Sequence, residues 1–211
     1  MLNCTVYSLI FDTSTTTLVA AVARDNNVLA HVDRPGERAQ RLLDAVDQVL
    51  SDAMISRAQL DRVIVGSGPG GFTGLRVGIA TARGIASALG IAIVPVPTLE
   101  AIGAPVACSK PGQRVCARID ARRGEWFEAL VSAMDHGAYD VSCALRVVPA
   151  DGQFGDIPAD ADVIACGPPT PQGLLQAAAR CDARDVHVVL PDYGREPDAI
   201  PGAWTQEAPL S

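Results

Sequence analysis

A glycine-rich loop is the segment of this chain whose residue types most suggest a ligand site. Gly66, Gly68 and Gly71 stand between a β-branched apolar run and a helix-like segment, in the Gly-x-Gly-x-x-Gly spacing of dinucleotide loops. The acidic residue that should bind the ribose about 20 residues later is missing, since no Asp or Glu occurs between Asp61 and Glu100. A phosphate-binding P-loop would need Gly-Lys-Ser/Thr, which the chain lacks. Neither nucleotide site is predicted here.

Asp12, Thr13 and Ser14 follow the first predicted strand. Their carboxylate, hydroxyl groups and backbone N–H groups could hold a metal-bound phosphate. The same residues are also typical of a turn that caps a strand through its own side chains. The residue types leave both readings open.

Asp120, Arg122 and Arg123 occupy the corresponding place in the second half of the chain, at a turn between two predicted strands. A charged hairpin turn in water explains them without any function. Alternatively, the two arginines could pair with carboxylates or phosphates of a partner.

Gly74 and Gly78 lie inside a predicted helix, where each glycine costs about 1 kcal/mol relative to alanine. A helix that keeps two of them must let its backbone approach something closely. We predict that the packing partner is another chain.

No catalytic set or metal site is predicted. The three histidines are scattered, no Cys-x-x-Cys pair occurs among the six cysteines, and no Ser/His/Asp arrangement stands out. The net charge of -7 disfavours a protein that binds nucleic acid without the help of a partner. There is no basic leader and no apolar run long enough to span a bilayer, so free thiols in the cytoplasm and no membrane contact are expected.

The hydrophobic periodicity predicts a duplicated α/β fold with a cleft between two lobes. The first half alternates strands and helices in the order β-β-β-α-β-α-β, and the second half opens in the same way. We place an N-terminal lobe at residues 1–105, a shortened C-terminal lobe at 106–193 and a loosely held tail at 194–211. Strands are predicted at 7–11, 18–23, 28–32, 63–65, 91–96, 115–119, 126–131, 145–148, 163–166 and 186–190, and helices at 38–54, 73–89 and 173–180.

Four segments together resemble the TsaB (YeaZ) family, in order over roughly residues 7 to 130. They are Ile10-Phe-Asp-Thr-Ser-Thr, Gly68-Pro-Gly-Gly-Phe-Thr-Gly-Leu-Arg-Val-Gly, Pro97-Thr-Leu-Glu-Ala and Ile119-Asp-Ala-Arg-Arg-Gly-Glu. Near the C-terminus, Pro191-Asp-Tyr-Gly-Arg is similar to the family's Pro-x-Tyr-Leu-Arg. The resemblance implies the fold of actin, sugar kinases and heat-shock chaperones, with a mixed β-sheet flanked by helices in each lobe.

The resemblance also implies a non-catalytic role in tRNA modification. Members of the family bind TsaD, which transfers a threonylcarbamoyl group to an adenosine beside the anticodon, and the ATPase TsaE joins the complex. The metal-binding His-x-x-x-His of TsaD is absent from this chain, which disfavours a glycoprotease. The implied contact with tRNA is mostly through TsaD, and ATP or ADP with Mg²⁺ is a candidate ligand only at the TsaD interface.

In the family, the first two helices form the contact with TsaD, and a homodimer when TsaD is absent. The family's His-Ser before the first helix is replaced here by Glu37-Arg38-Ala39. Transferred to this sequence, the contact is expected at Arg41, Leu42, Ala45, Val49, Thr73, Gly74, Arg76, Val77, Gly78, Thr81 and Ala82.

A free-standing ATPase or small-molecule kinase of the same fold is the rival hypothesis. It places Asp12 and Asp120 on the metal–phosphate side of the cleft. It predicts nucleotide turnover by the isolated chain that Asp12→Ala abolishes. A metalloprotease is a more distant alternative, because metal ligands are lacking.

Overall fold

The first sheet of the computed structural model has five strands in the order β3-β2-β1-β4-β5. The structure describes residues 5–37, 39–134, 138–149, 159–186 and 188–194. The first three strands are antiparallel neighbours, whereas β4 and β5 add in parallel beyond β1. The strands are β1 Tyr7–Asp12, β2 Thr17–Arg24, β3 Asn27–Pro35, β4 Arg62–Gly68 and β5 Ala92–Pro97.

Two helices cover one face of this sheet: α1 Leu42–Asp52 and α2 Phe72–Leu89. Their apolar stripes pack together with inward side chains of β1, β2 and β4 in one core. The predicted helix at 38–54 is confirmed from Leu42 onward, and a single 3-10 turn precedes it. The N-terminal order β-β-β-α-β-α-β is therefore confirmed.

Within the described residues, the second sheet repeats the topology of the first with one strand fewer. Its order is β8-β7-β6-β9, with antiparallel pairing of the first three strands in sequence and parallel pairing of β6 with β9. This repetition confirms the duplicated α/β architecture of two mixed sheets. The strands are β6 Arg114–Arg122, β7 Glu125–Ala133, β8 Tyr139–Pro149 and β9 Val163–Cys166.

A layer of two helices lies between the sheets. Helix α3 Thr98–Cys108 packs on the core of the second sheet, and α4 Pro171–Ala178 packs on the free face of the first sheet. Helix α3 was not predicted, because its Pro105 and the composition around it resemble a linker. It runs across the lobe boundary proposed after residue 105, and that division of the chain stays a prediction.

The strand predicted at 186–190 is wrong. Among the described residues of this segment, Arg184 alone pairs with the edge of the first sheet, through two backbone hydrogen bonds to Ile93. Beyond it, Val189 is buried in the core under α1 and α2 while Val188 and Leu190 face outward. The tail predicted from residue 194 lies outside the described residues after Gly194. No helix in the described ranges is long and apolar enough to cross a membrane.

Candidate functional site

Asp12 ends β1 in the middle of the first sheet and is fully buried. Its Oδ1 accepts hydrogen bonds from the backbone N–H and the hydroxyl of Ser14, each at 2.8 Å. Its Oδ2 accepts a hydrogen bond of 2.9 Å from the hydroxyl of Thr98. Burial raises the pKa of the Asp12 carboxyl above its usual range, and the hydrogen bonds from Ser14 and Thr98 oppose that shift. Both oxygens are thus used inside the chain.

Thr98 connects this carboxylate to the glycine-rich turn. Its Oγ1 also accepts a hydrogen bond of 3.3 Å from the backbone N–H of Gly68 and lies 3.1 Å from the Ser14 hydroxyl. One threonine at the start of α3 therefore joins the ends of β1 and β4. The sequence analysis gave Thr98 no role, although Thr98 lies in Pro97-Thr-Leu-Glu-Ala, one of the four segments that carry the family resemblance.

The glycines of the turn leave room for the Asp12 loop. A Cβ atom added at Gly66 would collide with the Asp12 carboxylate, and one at Gly70 would collide with the Ser14 carbonyl oxygen. Both would lie well inside the 3.0 Å that real Cβ atoms keep from other atoms. The glycine-rich segment therefore encloses the loop after β1.

Gly74 and Gly78 serve the same purpose one and two turns into α2. A Cβ at Gly74 would collide with the carbonyl oxygen of Thr13, and one at Gly78 with the Thr13 hydroxyl. That hydroxyl donates a hydrogen bond of 2.7 Å to the Gly74 carbonyl oxygen. The interpretation that these glycines exist for another chain is thus corrected: at both, the close neighbour is Thr13 of this chain.

The residues expected at a partner interface divide into two groups. Arg41, Thr73 and Arg76 are exposed, and Gly74, Val77 and Thr81 are partly exposed. The remaining five are buried in the chain's own core, because the apolar stripe of each helix faces its own sheet: Leu42, Ala45, Val49, Gly78 and Ala82. A partner contact by these helices stays a prediction, and it would use the opposite faces. On α1 that face includes Leu43, which is 57% exposed.

A cavity of about 480 Å³ opens beside the exposed part of α2. Thr15 and Thr16 of the loop after β1 form one wall, and Thr73 and Val77 of α2 form another. Gln40, before α1, contributes to the third wall. The ends of both outer helices thus meet at a concave surface.

The second loop is open to solvent. Asp120 pairs with Arg122 inside its own turn, through a side-chain contact of 3.3 Å and a hydrogen bond of 2.7 Å from the Arg122 backbone N–H. Arg122 and Arg123 both have a positive φ, as a tight turn requires. Within the described residues no contact joins Asp12 to Asp120. A phosphate site that combines the two loops stays a prediction.

An aromatic and arginine cluster, which sequence reasoning missed in part, lies at the start of α2. Phe72 is 54% exposed and stacks on Tyr193, with ring centroids 4.9 Å apart. Arg76 lies over the Phe72 ring at 4.1 Å, and its Nε donates a hydrogen bond of 2.9 Å to the Tyr193 hydroxyl. The only available signal was the Pro191-Asp-Tyr-Gly segment, and sequence alone does not show that it returns to α2.

The same segment contacts both halves of the molecule. Asp192 donates its backbone N–H to the Ser67 carbonyl oxygen at 2.7 Å. Gly194 lies against Pro69 of the first half and Phe127 of the second, so closely that a Cβ there would collide with both. Residues 191–194 therefore fill the space between the glycine-rich turn and β7.

Among the residues that the structure describes, no group of three His, Cys, Asp or Glu side chains is placed to hold a metal ion. The described cysteines whose side chains can be placed, Cys108, Cys116, Cys166 and Cys181, are free thiols. Burial raises the pKa of Cys116 to about 11, which disfavours a reactive thiolate.

Comparison with known proteins gives a consistent set of relatives. The family model described as TsaD, tRNA N6-adenosine threonylcarbamoyltransferase, matches residues 37–144. The uncharacterized protein Rv3421c of Mycobacterium tuberculosis is 32% identical over 211 aligned residues, which cover 92% of this chain and 93% of that protein.

Two further relatives carry more specific names. The tRNA threonylcarbamoyladenosine biosynthesis protein TsaB of Escherichia coli is 33% identical over 132 residues, which cover 62% of this chain and 57% of that protein. The solved structure of YeaZ from Pseudomonas aeruginosa superposes with a TM-score of 0.75 at 25% identity, covering 89% of this chain and 99% of that one.

Proposed function

Because the chain belongs to the TsaB (YeaZ) family, we propose that it is a non-catalytic subunit of the cytoplasmic complex that forms N6-threonylcarbamoyladenosine in tRNA. In this role it binds and stabilises the transferase TsaD, and TsaE joins the assembly. Without TsaD, the same surface pairs two copies of the chain. Contact with tRNA is mostly made by TsaD, in keeping with the net charge of -7 of this chain.

The burial of Asp12 is the observation that carries a non-catalytic role. In a two-lobed α/β fold, the loop after the first strand is where a catalytic carboxylate would meet a metal-bound phosphate. Here that carboxylate is fully buried and receives hydrogen bonds on both oxygens from Ser14 and Thr98. The glycine-rich turn closes over it, so the fold itself uses the groups that a ligand would need.

The contact surface in this proposal is the outer side of α1 and α2. Both helices pack their apolar stripes on the first sheet, which leaves α1 with the exposed Leu43 and α2 with exposed Thr73 and Arg76. A single apolar side chain of this size on a polar helix face suits the centre of an interface with a polar rim.

Co-purification with TsaD of the same organism tests the proposal. The wild-type chain is expected to form a complex, and depletion of the chain is expected to lower the modified nucleoside in tRNA. Leu43→Asp should weaken the complex, because it places a charge in the contact. The matched control is Met54→Asp, since Met54 is 90% exposed and lies beyond the end of α1. No complex, together with normal nucleoside levels after depletion, would refute the proposal.

A nucleotide-dependent enzyme is the second candidate, with ATP or ADP and Mg²⁺ bound near Asp12 and Asp120 or at the junction with TsaD. Calorimetry of the isolated chain with ATP and Mg²⁺, and then of its complex with TsaD, separates these cases. Turnover by the isolated chain that Asp12→Ala abolishes would favour an enzyme over a scaffold. Heat of binding in the complex alone would place the nucleotide at the junction.

A further inference from the structure

The Arg76 cluster, formed by Phe72, Arg76 and Tyr193, holds a guanidinium group in a fixed place on the protein surface. The Arg76 guanidinium carbon lies 4.1 Å from the centroid of the Phe72 ring and 6.0 Å from that of Tyr193. The hydrogen bond from Nε to the Tyr193 hydroxyl fixes the rotation of the group. No described residue is hydrogen-bonded to the two terminal amino groups, and little side-chain entropy remains to be lost when these groups bind a ligand.

No carboxylate of the described residues pairs with Arg76. Two other exposed arginines near α1 have partners, since Arg41 pairs with Asp44 and Arg57 pairs with Asp47. Helix α2 contains no acidic residue at all, although acidic residues outnumber basic ones by 24 to 17 in the chain. The amino end of α2 adds its own positive potential one turn away. The cluster is therefore a local positive site on an acidic protein.

We infer that Arg76 receives a carboxylate from a protein partner and anchors the interface at the start of α2. A planar guanidinium binds a carboxylate through two parallel hydrogen bonds, and arginine and aromatic residues dominate the binding energy of protein interfaces. A protein carboxylate fits better than an RNA phosphate, because the net charge of -7 of the chain disfavours contact with a polyanion. This inference rests on the proposed function in one respect: TsaD is the partner used to test it.

The segment that ends at Gly194 is part of this anchor. Two contacts hold this segment beside Arg76: the Asp192 backbone N–H donates a hydrogen bond to the Ser67 carbonyl oxygen, and Val189 is buried in the core of the first half. Val188 and Leu190, which are 60% and 69% exposed, flank the buried Val189. The surface offered to the partner thus continues from α2 onto the C-terminal segment.

The dissociation constant of the complex with TsaD tests the anchor. Arg76→Gln is expected to weaken binding about 30-fold, as loss of a central arginine does at other interfaces. Arg76→Lys is expected to restore only part of the affinity, since an ammonium group cannot make the paired contact. The difference between wild type and Arg76→Gln should shrink as salt concentration rises.

Two further variants separate the anchor from folding and from general charge. Arg24→Gln removes an exposed arginine at the far end of β2 and should leave the affinity unchanged. Tyr193→Phe removes only the hydroxyl that positions Arg76, so a smaller loss of about threefold is expected at an unchanged melting temperature. All four variants should show the circular dichroism spectrum of the wild type.

The outcomes distinguish the anchor from the proposed function. If the wild-type chain binds TsaD and Arg76→Gln binds equally well, the anchor is wrong and the function stands. If Arg76→Gln leaves TsaD binding intact but lowers tRNA binding by the complex, the ligand is a phosphate, and the inference of a protein carboxylate is overturned. If only self-association is lost, the carboxylate belongs to a second copy, and TsaD is not its source. If the wild-type chain does not bind TsaD, the proposed function and the anchor are both rejected.

Discussion

The loops that follow β1 and β6 occupy equivalent places in the two halves, yet their environments are opposite. Asp12 is fully buried, with both oxygens hydrogen-bonded, and the glycines of α2 close over its loop. Asp120 is half exposed and pairs with Arg122 of its own turn. The two halves therefore share their strand topology, but the loop after β1 is buried and the loop after β6 is exposed.

The helices that follow the fourth strand of each half explain the difference. In α2, Gly74 brings the helix backbone against Thr13 of its own half. In α4, Gly173 brings the backbone against the Ala101 carbonyl oxygen of α3 instead. The glycine of α2 thus allows close packing on the loop after β1, whereas the glycine of α4 allows close packing on α3 between the sheets. The second loop is an exposed charged turn in which Asp120 and Arg122 pair with each other.

The sharpest test of this comparison is Gly74→Ala. The added methyl group would overlap the Thr13 carbonyl oxygen, so the free energy of unfolding should fall by about 3 kcal/mol. Gly84→Ala in the same helix has open space around its Cβ and should instead raise it by up to about 1 kcal/mol. Urea denaturation measures both. Equal effects of the two substitutions would show that α2 does not close on the loop.

Thr98→Val should produce the next largest effect. It removes the hydroxyl that bonds Asp12 and accepts from the Gly68 N–H, with little change in shape. We expect a loss of about 2 kcal/mol, because buried polar groups are left without partners. Thr73→Val, on the exposed start of α2, is the control and should be close to neutral. A neutral Thr98→Val would mean that the Asp12 carboxylate does not depend on this bond.

Asp12→Asn should change how stability depends on pH. The folded-state pKa of Asp12 is raised above its usual 3.8 by burial, so the folded state holds this proton at pH values where the unfolded chain has released it. That contribution is complete below pH 3.8 and is lost as pH rises through the folded-state pKa. The wild-type chain should therefore lose more stability than Asp12→Asn as the pH rises over this range.

Melting temperatures of the wild type and of Asp12→Asn, measured from pH 3.5 to 7, show this loss of stability. Asp120→Asn, the same substitution at the equivalent exposed position of the second half, is the matched control. Parallel curves for wild type and Asp12→Asn would contradict a raised pKa at Asp12.

The smallest effect is expected for Asp120→Ala. An exposed ion pair within one turn adds little, so a loss of about 0.5 kcal/mol or less is expected in chemical denaturation. A loss as large as that of Thr98→Val would show that the second loop is also an integrated part of the core, and the contrast between the halves would fail.

The sequence was sufficient to predict the repeated order of strands, since alternating apolar runs and turn residues mark most strands directly. It failed at α3, because a helix buried from two sides has no polar face, and Pro105 and Gly103 resemble a linker. Gly103 packs against Val131 of the second sheet, a contact that exists only after folding.

The close neighbours of Gly74 and Arg76 could not be predicted for a related reason. Periodicity identified the stripes that contain Leu42 and Ala82, but it does not say whether a stripe faces its own sheet or a partner. The close neighbour of Gly74 is 61 residues away in sequence, and the hydrogen bond from Arg76 to Tyr193 spans 117 residues. Such distant contacts follow from tertiary structure alone.

The placement of α4 has a consequence for synthesis on the ribosome. The face of the first sheet that carries Ile10, Val19 and Ile64 is completed by Leu174 and Leu175, which are made more than 100 residues later. Until α4 emerges, the nascent N-terminal half displays an apolar sheet face to solvent. If translation ends before α4 is made, the released chain lacks the helix that covers this face of the sheet. We expect chaperones and proteases to recognise the exposed apolar face.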